Sequence, residues 1–156
     1  MVRPSSHSVK LELAAEAARK FGTLKIKVTG DSMLPSVWPG DVLTVVRQPL
    51  ARFRPGDIAL AARRRPGGAH HAMEFVAHRV VRRHGRQLIT RGDSLRHFDA
   101  PWDEDEIVGR VAAVTRVGAP VDAALTPGRK LTAWVLRRSE FSARVMLRLT
   151  RLGVQR

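Results

Sequence analysis

Short runs of alternating apolar and polar residues, separated by closely spaced turn signals, restrict the fold of this chain more than any other feature. In the first run, Leu24, Ile26 and Val28 alternate with two lysines, which is the period-2 pattern of a half-buried strand. Further strand candidates are Val42–Arg47, Asp57–Ala62, Phe75–Arg82, Arg86–Arg91 and Ile107–Val117. The turn signals between them include Pro39-Gly40, Pro55-Gly56, His84-Gly85 and Gly118-Ala119-Pro120. The pattern predicts a mainly β fold, a compact antiparallel sheet or partly open barrel, rather than βαβ units.

Both ends of the chain have helical rather than strand periodicity. Residues 1–22 are expected to hold an N-terminal helix that Gly22 ends. Residues 23–125 are the predicted β domain, and residues 126–156 are a predicted basic, amphipathic helical tail. Within the β domain, residues 63–74 (RRRPGGAHHAME) are expected to form a loop between two strands.

The charge balance favours an anionic partner. The 156 residues include 28 Lys plus Arg against 14 Asp plus Glu, a formal net charge of +14. Residues 129–156 carry eight basic residues and one acidic residue, Glu140. Such a tail can lie on an anionic membrane surface, or it can pack on its own domain and expose a solvated basic face; both interpretations stay open.

Several site classes are excluded or disfavoured. The chain has no cysteine, so it has no disulfide, no thiol nucleophile and no Cys-ligated metal. His70, His71 and His97 lack regular ligand spacing, and neither a metal nor another cofactor is expected. No run of about 18 apolar residues occurs, so no transmembrane helix is expected. We expect a cytoplasmic chain, with peripheral attachment to the inner membrane face through residues 129–156 as one option.

The segment from Val28 to Val45 (VTGDSMLPSVWPGDVLTV) carries the strongest chemical signal. A strand ends at Gly30, which lets the backbone turn closely, and Ser32 follows two residues later. Ser32 then projects from the strand end with backbone amides nearby, which is what a hydroxyl nucleophile beside an oxyanion hole requires. The N–H of Ser32 would supply one oxyanion donor, and the second donor is not placed by the sequence.

Four segments in consistent order, between about residues 24 and 117, resemble boxes of the type I signal peptidases. The G-x-S-M-x-P run at 30–35, followed by Pro39-Gly40-Asp41, is similar to the serine box of that family and of the related LexA-type self-cleaving repressors. Residues 54–59 (RPGDIA) resemble its R-x-G-D-I strand start, 75–81 (FVAHRVV) its base box, and 88–94 (LITRGDS) with Asp99 its G-D box. The resemblance implies the signal-peptidase type of β fold.

The base box distinguishes two branches of the family. Most bacterial enzymes and the LexA-type proteins have a lysine where this chain has His78, and no lysine occurs between Lys27 and Lys130. The chain therefore resembles the Ser-His branch found in endoplasmic-reticulum, archaeal and some Gram-positive signal peptidases. A histidine can take a serine proton at neutral pH without burial, whereas a lysine must first have its pKa lowered by several units.

The resemblance assigns the remaining site residues. Asp93 and Asp99 match the two aspartates of the family's G-D segment; Asp99 is expected to orient His78, and Asp93 to brace the turn, with the pairing left open. Ser94 and Leu95 stand where that branch has asparagine or similar polar residues. The residues expected to contact substrate are Gly30, Met33 and Pro35.

The resemblance implies a serine endopeptidase that cleaves a leader or signal-like segment of a peptide or precursor protein through a Ser-His-Asp acyl-enzyme mechanism. One alternative is a LexA-like regulator that cleaves itself or binds DNA, although residues 1–22 are too short for a helix-turn-helix. The other is a non-catalytic basic module that binds membrane or nucleic acid, of which nucleic acid is the less favoured partner.

Overall fold

A computed structural model describes residues 20, 22–64 and 73–138, which form one large antiparallel sheet and a helix. The strands are β1 (Thr23–Lys27), β2 (Val42–Val46), β3 (Ile58–Arg64), β4 (Met73–His84), β5 (Gln87–Arg91), β6 (Trp102–Asp103), β7 (Ile107–Arg116) and β8 (Ala119–Val121). Two 3-10 turns, Leu50–Arg52 and Glu104–Glu106, and helix α1 (Pro127–Arg138) complete the described elements. The prediction of a mainly β, antiparallel fold is confirmed.

The strand order is β1-β2-β7-β3-β4-β5-β6, with β8 paired to β7. The strands at the two ends of this order do not pair with each other, so the described sheet is open rather than a closed barrel. Its register shifts between Thr44 and Val45, between Leu60 and Ala61, and between Val80 and Arg82. Such bulges bend a strand and increase the local twist.

Strand alternation places apolar side chains on both faces of the central strand β3. Ile58, Leu60 and Ala62 belong to the larger cluster, and Ala59 belongs to a second cluster with Leu50. The other buried members of the larger cluster are Met33, Val37, Leu43, Val45, Val108, Val111 and Val114. Both faces of β3 are therefore packed, and its neighbour β4 pairs with a strand that is buried on both sides.

The loop expected at residues 63–74 is shorter than predicted. β3 continues to Arg64 and β4 begins at Met73, and Arg63 pairs with Glu74 across the two strands. The sequence Arg-Arg-Arg-Pro-Gly-Gly suggests a loop from composition alone, but the ladder of the preceding residues extends into it. Residues 65–72 lie outside the described residues.

The described part of the tail, helix α1, packs on the sheet domain. Ala133 and Leu136 are buried, and the Nε–H of Arg137 donates a 2.9 Å hydrogen bond to the backbone carbonyl of Asp93. The N-terminal helix predicted within residues 1–22 and the rest of the tail, 139–156, lie outside the described residues. In the part of the chain that is described, no helix has both the length and the apolar character needed to span a membrane.

Candidate active site

Ser32 begins a turn, residues 32–36, within the long connection between β1 and β2. The N–H groups of Ser36 and Val37 donate to the carbonyl of Met33, so the residues just after Ser32 fold back on themselves. Asp41 closes this segment: its carboxylate accepts the N–H of Trp38 and a two-pronged hydrogen bond from Arg116, 2.8 Å each. The Asp41 carboxylate also raises the pKa of Arg116 by hydrogen bonding. This scaffold fixes the backbone that carries the serine.

A second loop, residues 92–99 between β5 and β6, holds the other side of Ser32. The Ser32 carbonyl accepts the N–H of Ser94 at 3.0 Å and its hydroxyl at 2.9 Å. The loop can approach this closely because residue 92 is glycine: a Cβ there would lie 2.6 Å from the Ser32 carbonyl oxygen. The hydroxyl of Ser94, which stands where the resembling family has asparagine or a similar polar residue, is thus one of two donors to the Ser32 carbonyl.

His78 brings the two segments together. It lies on β4, 46 residues from Ser32 in the sequence, and its Nε2 is 2.9 Å from the Ser32 Oγ. Its Nδ1 is 2.7 Å from the Oδ2 of Asp99. Because a carboxylate only accepts, Nδ1 carries the ring proton, and Nε2 is left as the acceptor for the serine hydroxyl proton. The imidazole is 7% exposed, so bulk water does not compete strongly for either bond.

Asp99 is itself supported by β5. Its N–H donates to the Thr90 carbonyl at 2.9 Å, and its Oδ2 accepts the Thr90 hydroxyl at 2.5 Å. Thr90 in turn accepts the indole N–H of Trp102 at 2.9 Å, and both Thr90 and Trp102 are buried. The structure therefore buries Trp102 behind the carboxylate.

Asp93 has a different partner. Its two carboxylate oxygens accept 2.8 Å hydrogen bonds from Arg79, the residue after His78 on β4. Arg79 also donates to the carbonyls of Gly56 and Ala123. The pair is buried and ties β4 to the loop 92–99, which is the bracing position expected for Asp93. Of the two candidate aspartates, the structure places Asp99 beside His78.

A cleft of about 730 Å³ opens beside the Ser32 and His78 side chains. Its walls are residues 26–30 from β1 onward and residues 74–78 of β4, and its floor is mainly apolar. The floor includes Met33, Val37, Leu43, Ile58 and Leu60. Of the three residues expected to contact substrate, Gly30 and Met33 line the cleft. Pro35 does not; it is buried, and its carbonyl accepts the indole N–H of Trp38.

Both walls of the cleft have a free backbone edge among the described strands. β1 pairs only with β2. In β4, residues 73–78 pair only with β3, since the pairing with β5 begins at Arg79. An extended segment lying in the cleft would therefore meet, on both sides, N–H and C=O groups of β1 and of residues 75–78 that no second described strand pairs.

No group of three or more potential His, Asp or Glu metal ligands occurs within residues 20, 22–64 and 73–138.

The sequence did not identify Thr90, Ser94 or Trp102 as parts of this site. Ser94 could have been found from its place in the G-D box, whereas the Thr90–Trp102 contact depends on strand pairing that no local pattern reveals.

A comparison with models of known protein families found no match for this chain, and a comparison with curated proteins found no relative. The geometry of the site therefore has to support the function on its own.

Proposed function

We propose that this chain is a serine endopeptidase of the signal-peptidase type, in which Ser32 is the nucleophile, His78 the general base and Asp99 the residue that orients His78. The observation that supports the proposal most strongly is the pair of hydrogen bonds at 2.9 Å and 2.7 Å that links the three side chains. A serine, histidine and carboxylate linked in this order form the nucleophile, base and orienting group of acyl transfer.

The proposed reaction has two steps. In acylation, the Ser32 Oγ attacks the scissile carbonyl carbon while its proton moves to Nε2 of His78. The imidazolium, stabilised by Asp99, then donates this proton to the leaving amine as the peptide C–N bond breaks. In deacylation, His78 takes a proton from water as the water oxygen bonds to the acyl carbon. The bond from that carbon to the Ser32 Oγ then breaks as the proton passes from His78 to Oγ, which releases the acid product. The backbone N–H of Ser32 is one donor for the oxyanion.

The cleft supports a peptide substrate bound as an added strand. The edges of β1 and of residues 75–78 that no second described strand pairs would flank an extended segment, and the apolar floor would accept its inward-pointing side chains. The family resemblance implies small residues on the acyl side of the cut. A leader or signal-like segment of a precursor protein meets both requirements.

The direct test is cleavage of a peptide library by the purified chain. We expect the wild type to cut, Ser32→Ala to lose at least about 10⁴-fold in kcat/KM, and His78→Gln to lose a similar factor. His84→Gln is the matched control, because His84 is exposed at the end of the same strand. Wild-type cleavage by a folded Ser32→Ala variant would refute the assignment.

We also propose that α1 contacts an anionic membrane surface. Leu131, Trp134 and Val135 share one face of the helix and are exposed by 64%, 50% and 47%. Lys130 and Arg138 are close by in sequence, and basic residues beside an exposed apolar face favour anionic lipid. This surface is separate from the buried face that Ala133 and Leu136 present to the domain.

Co-flotation with vesicles tests this contact. Vesicles rich in phosphatidylserine should carry the protein at low salt and release it at high salt, while phosphatidylcholine vesicles should not bind it. Replacing Leu131 and Trp134 together by serine should reduce binding. Val117→Ser is the control, because Val117 is exposed by 99% on the β7–β8 turn. Equal flotation of all variants would show that the exposed face of α1 does not contact the membrane.

A further inference from the structure

A buried relay of hydrogen bonds holds the Asp99 carboxylate from the side opposite His78. The Trp102 indole N–H donates to the Thr90 hydroxyl at 2.9 Å, and this hydroxyl is 2.5 Å from the Oδ2 of Asp99. We call these two bonds the backing relay. Thr90 and Trp102 are 1% and 5% exposed, so water does not replace either bond. The proposed mechanism uses neither residue.

The chemistry of the groups fixes the direction of every proton in the backing relay. An indole nitrogen only donates, and an ionised carboxylate only accepts. The Thr90 hydroxyl accepts from Trp102, so its single hydrogen points to Asp99. Oδ2 of Asp99 therefore receives two donors, the Thr90 O–H and the His78 Nδ1–H. Trp102 thus prevents the hydroxyl from turning away.

The outer end of the backing relay is also held. The Arg63 guanidinium lies 4.3 Å from the centre of the Trp102 ring, a cation–π contact. Arg63 also donates to both carboxylate oxygens of Glu106, at 2.5 and 2.7 Å, and to the carbonyl of Pro101 at 2.8 Å. The indole is therefore clamped between a buried hydroxyl and a guanidinium that is itself anchored on two sides.

We propose that Thr90 is a positioning residue for the acylation of Ser32, and that Trp102 orients its hydroxyl. The proposal rests on the proposed peptidase function for its activity readout. Thr90 touches neither substrate nor the reacting atoms. It fixes the rotation of the Asp99 carboxylate, which holds the His78 ring with Nε2 towards Ser32. Loss of the hydroxyl lets Asp99 and the imidazole reorient, and misplacement of about 1 Å costs on the order of 10²-fold in rate.

The experiment compares Thr90→Val, which keeps the shape and removes the hydroxyl, with Thr90→Ser, which restores the hydroxyl. Thr44→Val on β2 is the matched control. A fluorophosphonate phosphonylates the Ser32 Oγ and releases fluoride, and we use this rate as the measure of acylation. It should fall roughly 10- to 100-fold in Thr90→Val and stay within about threefold of wild type in Thr90→Ser and Thr44→Val. KM for a cleaved peptide should remain unchanged, since the cleft is untouched. A folded Thr90→Val variant with the wild-type acylation rate would overturn the proposal.

A second readout does not depend on catalysis. The Nδ1–H proton of His78, bonded to a carboxylate, should give a downfield proton NMR resonance that exchanges slowly with water. The resonance should be kept in Thr90→Ser and in Ser32→Ala, and lost or broadened by fast exchange in Thr90→Val. If Ser32 proves unreactive, the proposed function fails, and this resonance alone decides the role of Thr90: its retention in Thr90→Val refutes that role.

Thr90→Val leaves the buried indole N–H of Trp102 without an acceptor, which can prevent folding. In that case Trp102→Phe tests the proposal. The phenylalanine keeps an aromatic ring under Arg63 and removes the donor that orients the hydroxyl. We expect the His78 resonance to exchange faster and acylation to slow by roughly two- to tenfold, less than in Thr90→Val because the hydroxyl remains. Unchanged exchange and acylation in Trp102→Phe would contradict the backing relay.

Discussion

His78 and Arg79 are neighbours on β4, and each is bonded to a carboxylate from the same loop, yet the two pairs differ in every other respect. His78 and Asp99 stand at the cleft, and the imidazole has a nitrogen directed at Ser32. Arg79 and Asp93 are enclosed, and Arg79 also donates to the carbonyls of Gly56 and Ala123. Successive residues of a strand point to opposite faces, which separates the two pairs.

The comparison shows how one loop can be held in place by one carboxylate and present a second carboxylate at the cleft. The Arg79–Asp93 pair leaves no carboxylate oxygen unbonded, so it holds the start of the loop at one place. The end of the loop then delivers Asp99 to His78. We interpret the first pair as structural and the second as catalytic, and isosteric substitutions in each should separate the two roles.

Asp99→Asn should have the largest effect on the rate. With its NH₂ towards His78, the asparagine would donate to Nδ1 and force the ring proton onto Nε2, which removes the acceptor for the Ser32 proton. With its oxygen there, bonded to the Thr90 hydroxyl, it would carry no negative charge to stabilise the imidazolium. We expect acylation of Ser32 to fall about 10⁴-fold while the denaturation midpoint changes little. Fluorophosphonate kinetics and urea unfolding measure the two quantities. A loss of stability without a loss of rate would reverse the assignment of the two aspartates.

Asp93→Asn should show the opposite profile. The substitution removes the negative charge of residue 93 and leaves the Arg79 guanidinium charged and buried. Breaking a buried ion pair in this way lowers the free energy of unfolding by about 3–5 kcal/mol. Urea unfolding should show this loss, and the folded fraction should still acylate Ser32 within about tenfold of wild type. Asp57→Asn is the control, because the Asp57 carboxylate accepts the exposed N–H of Arg54 and takes no part in the buried Arg79–Asp93 pair. Full stability of Asp93→Asn would contradict the bracing role.

Gly92→Ala tests whether the start of the loop also sets the position of Ser32. The new Cβ would lie 2.6 Å from the Ser32 carbonyl oxygen, so the backbone of one segment has to move. We expect kcat to fall by about 10²-fold, with a smaller change in stability than for Asp93→Asn. Gly128→Ala is the control, since a Cβ there meets nothing within 4 Å. An unchanged kcat would show that the loop 92–99 can move away from the backbone of Ser32 without affecting catalysis.

The smallest effect belongs to Glu106, at the outer end of the backing relay. Hydrogen bonding from Arg63 holds the pKa of Glu106 below its ordinary value, against the opposing effect of burial. The stabilisation is therefore complete above the ordinary glutamate pKa and is lost as the pH falls through the lowered pKa. Because the pair is partly exposed, it contributes no more than about 1 kcal/mol. Glu106→Gln should flatten the pH dependence of unfolding below pH 5 slightly; an identical curve would contradict this.

Local sequence patterns predicted the sheet because the strands alternate or carry clear turn signals. β6 (Trp102–Asp103) and β8 (Ala119–Val121) were not predicted, since two or three residues are too few to show a period. The expected turn at Gly118-Ala119-Pro120 is shorter than predicted, because Ala119 and Pro120 already pair with β7. The loop at residues 63–74 was predicted too long, because composition cannot show how far the ladder between β3 and β4 extends.

The candidate site was partly predictable, because some of its residues lie in local segments with a recognisable pattern. Ser32, His78 and Asp99 each sit in a segment that resembles a family box, and the structure brings the three together. The support behind them was not predictable. Thr90 meets Trp102 because β5 pairs with β6. Pro35 is buried rather than in the cleft lining, and its carbonyl accepts the indole N–H of Trp38.

The most direct measurement of the central claim is the site of covalent labelling by a fluorophosphonate, identified by mass spectrometry of the digested protein. The account predicts one adduct, on Ser32, formed by the wild type and by His84→Gln, and formed at least about 10³-fold more slowly by His78→Gln. An unmodified Ser32 in the folded protein, or labelling of Ser32 at the same rate when His78 is replaced, would contradict it.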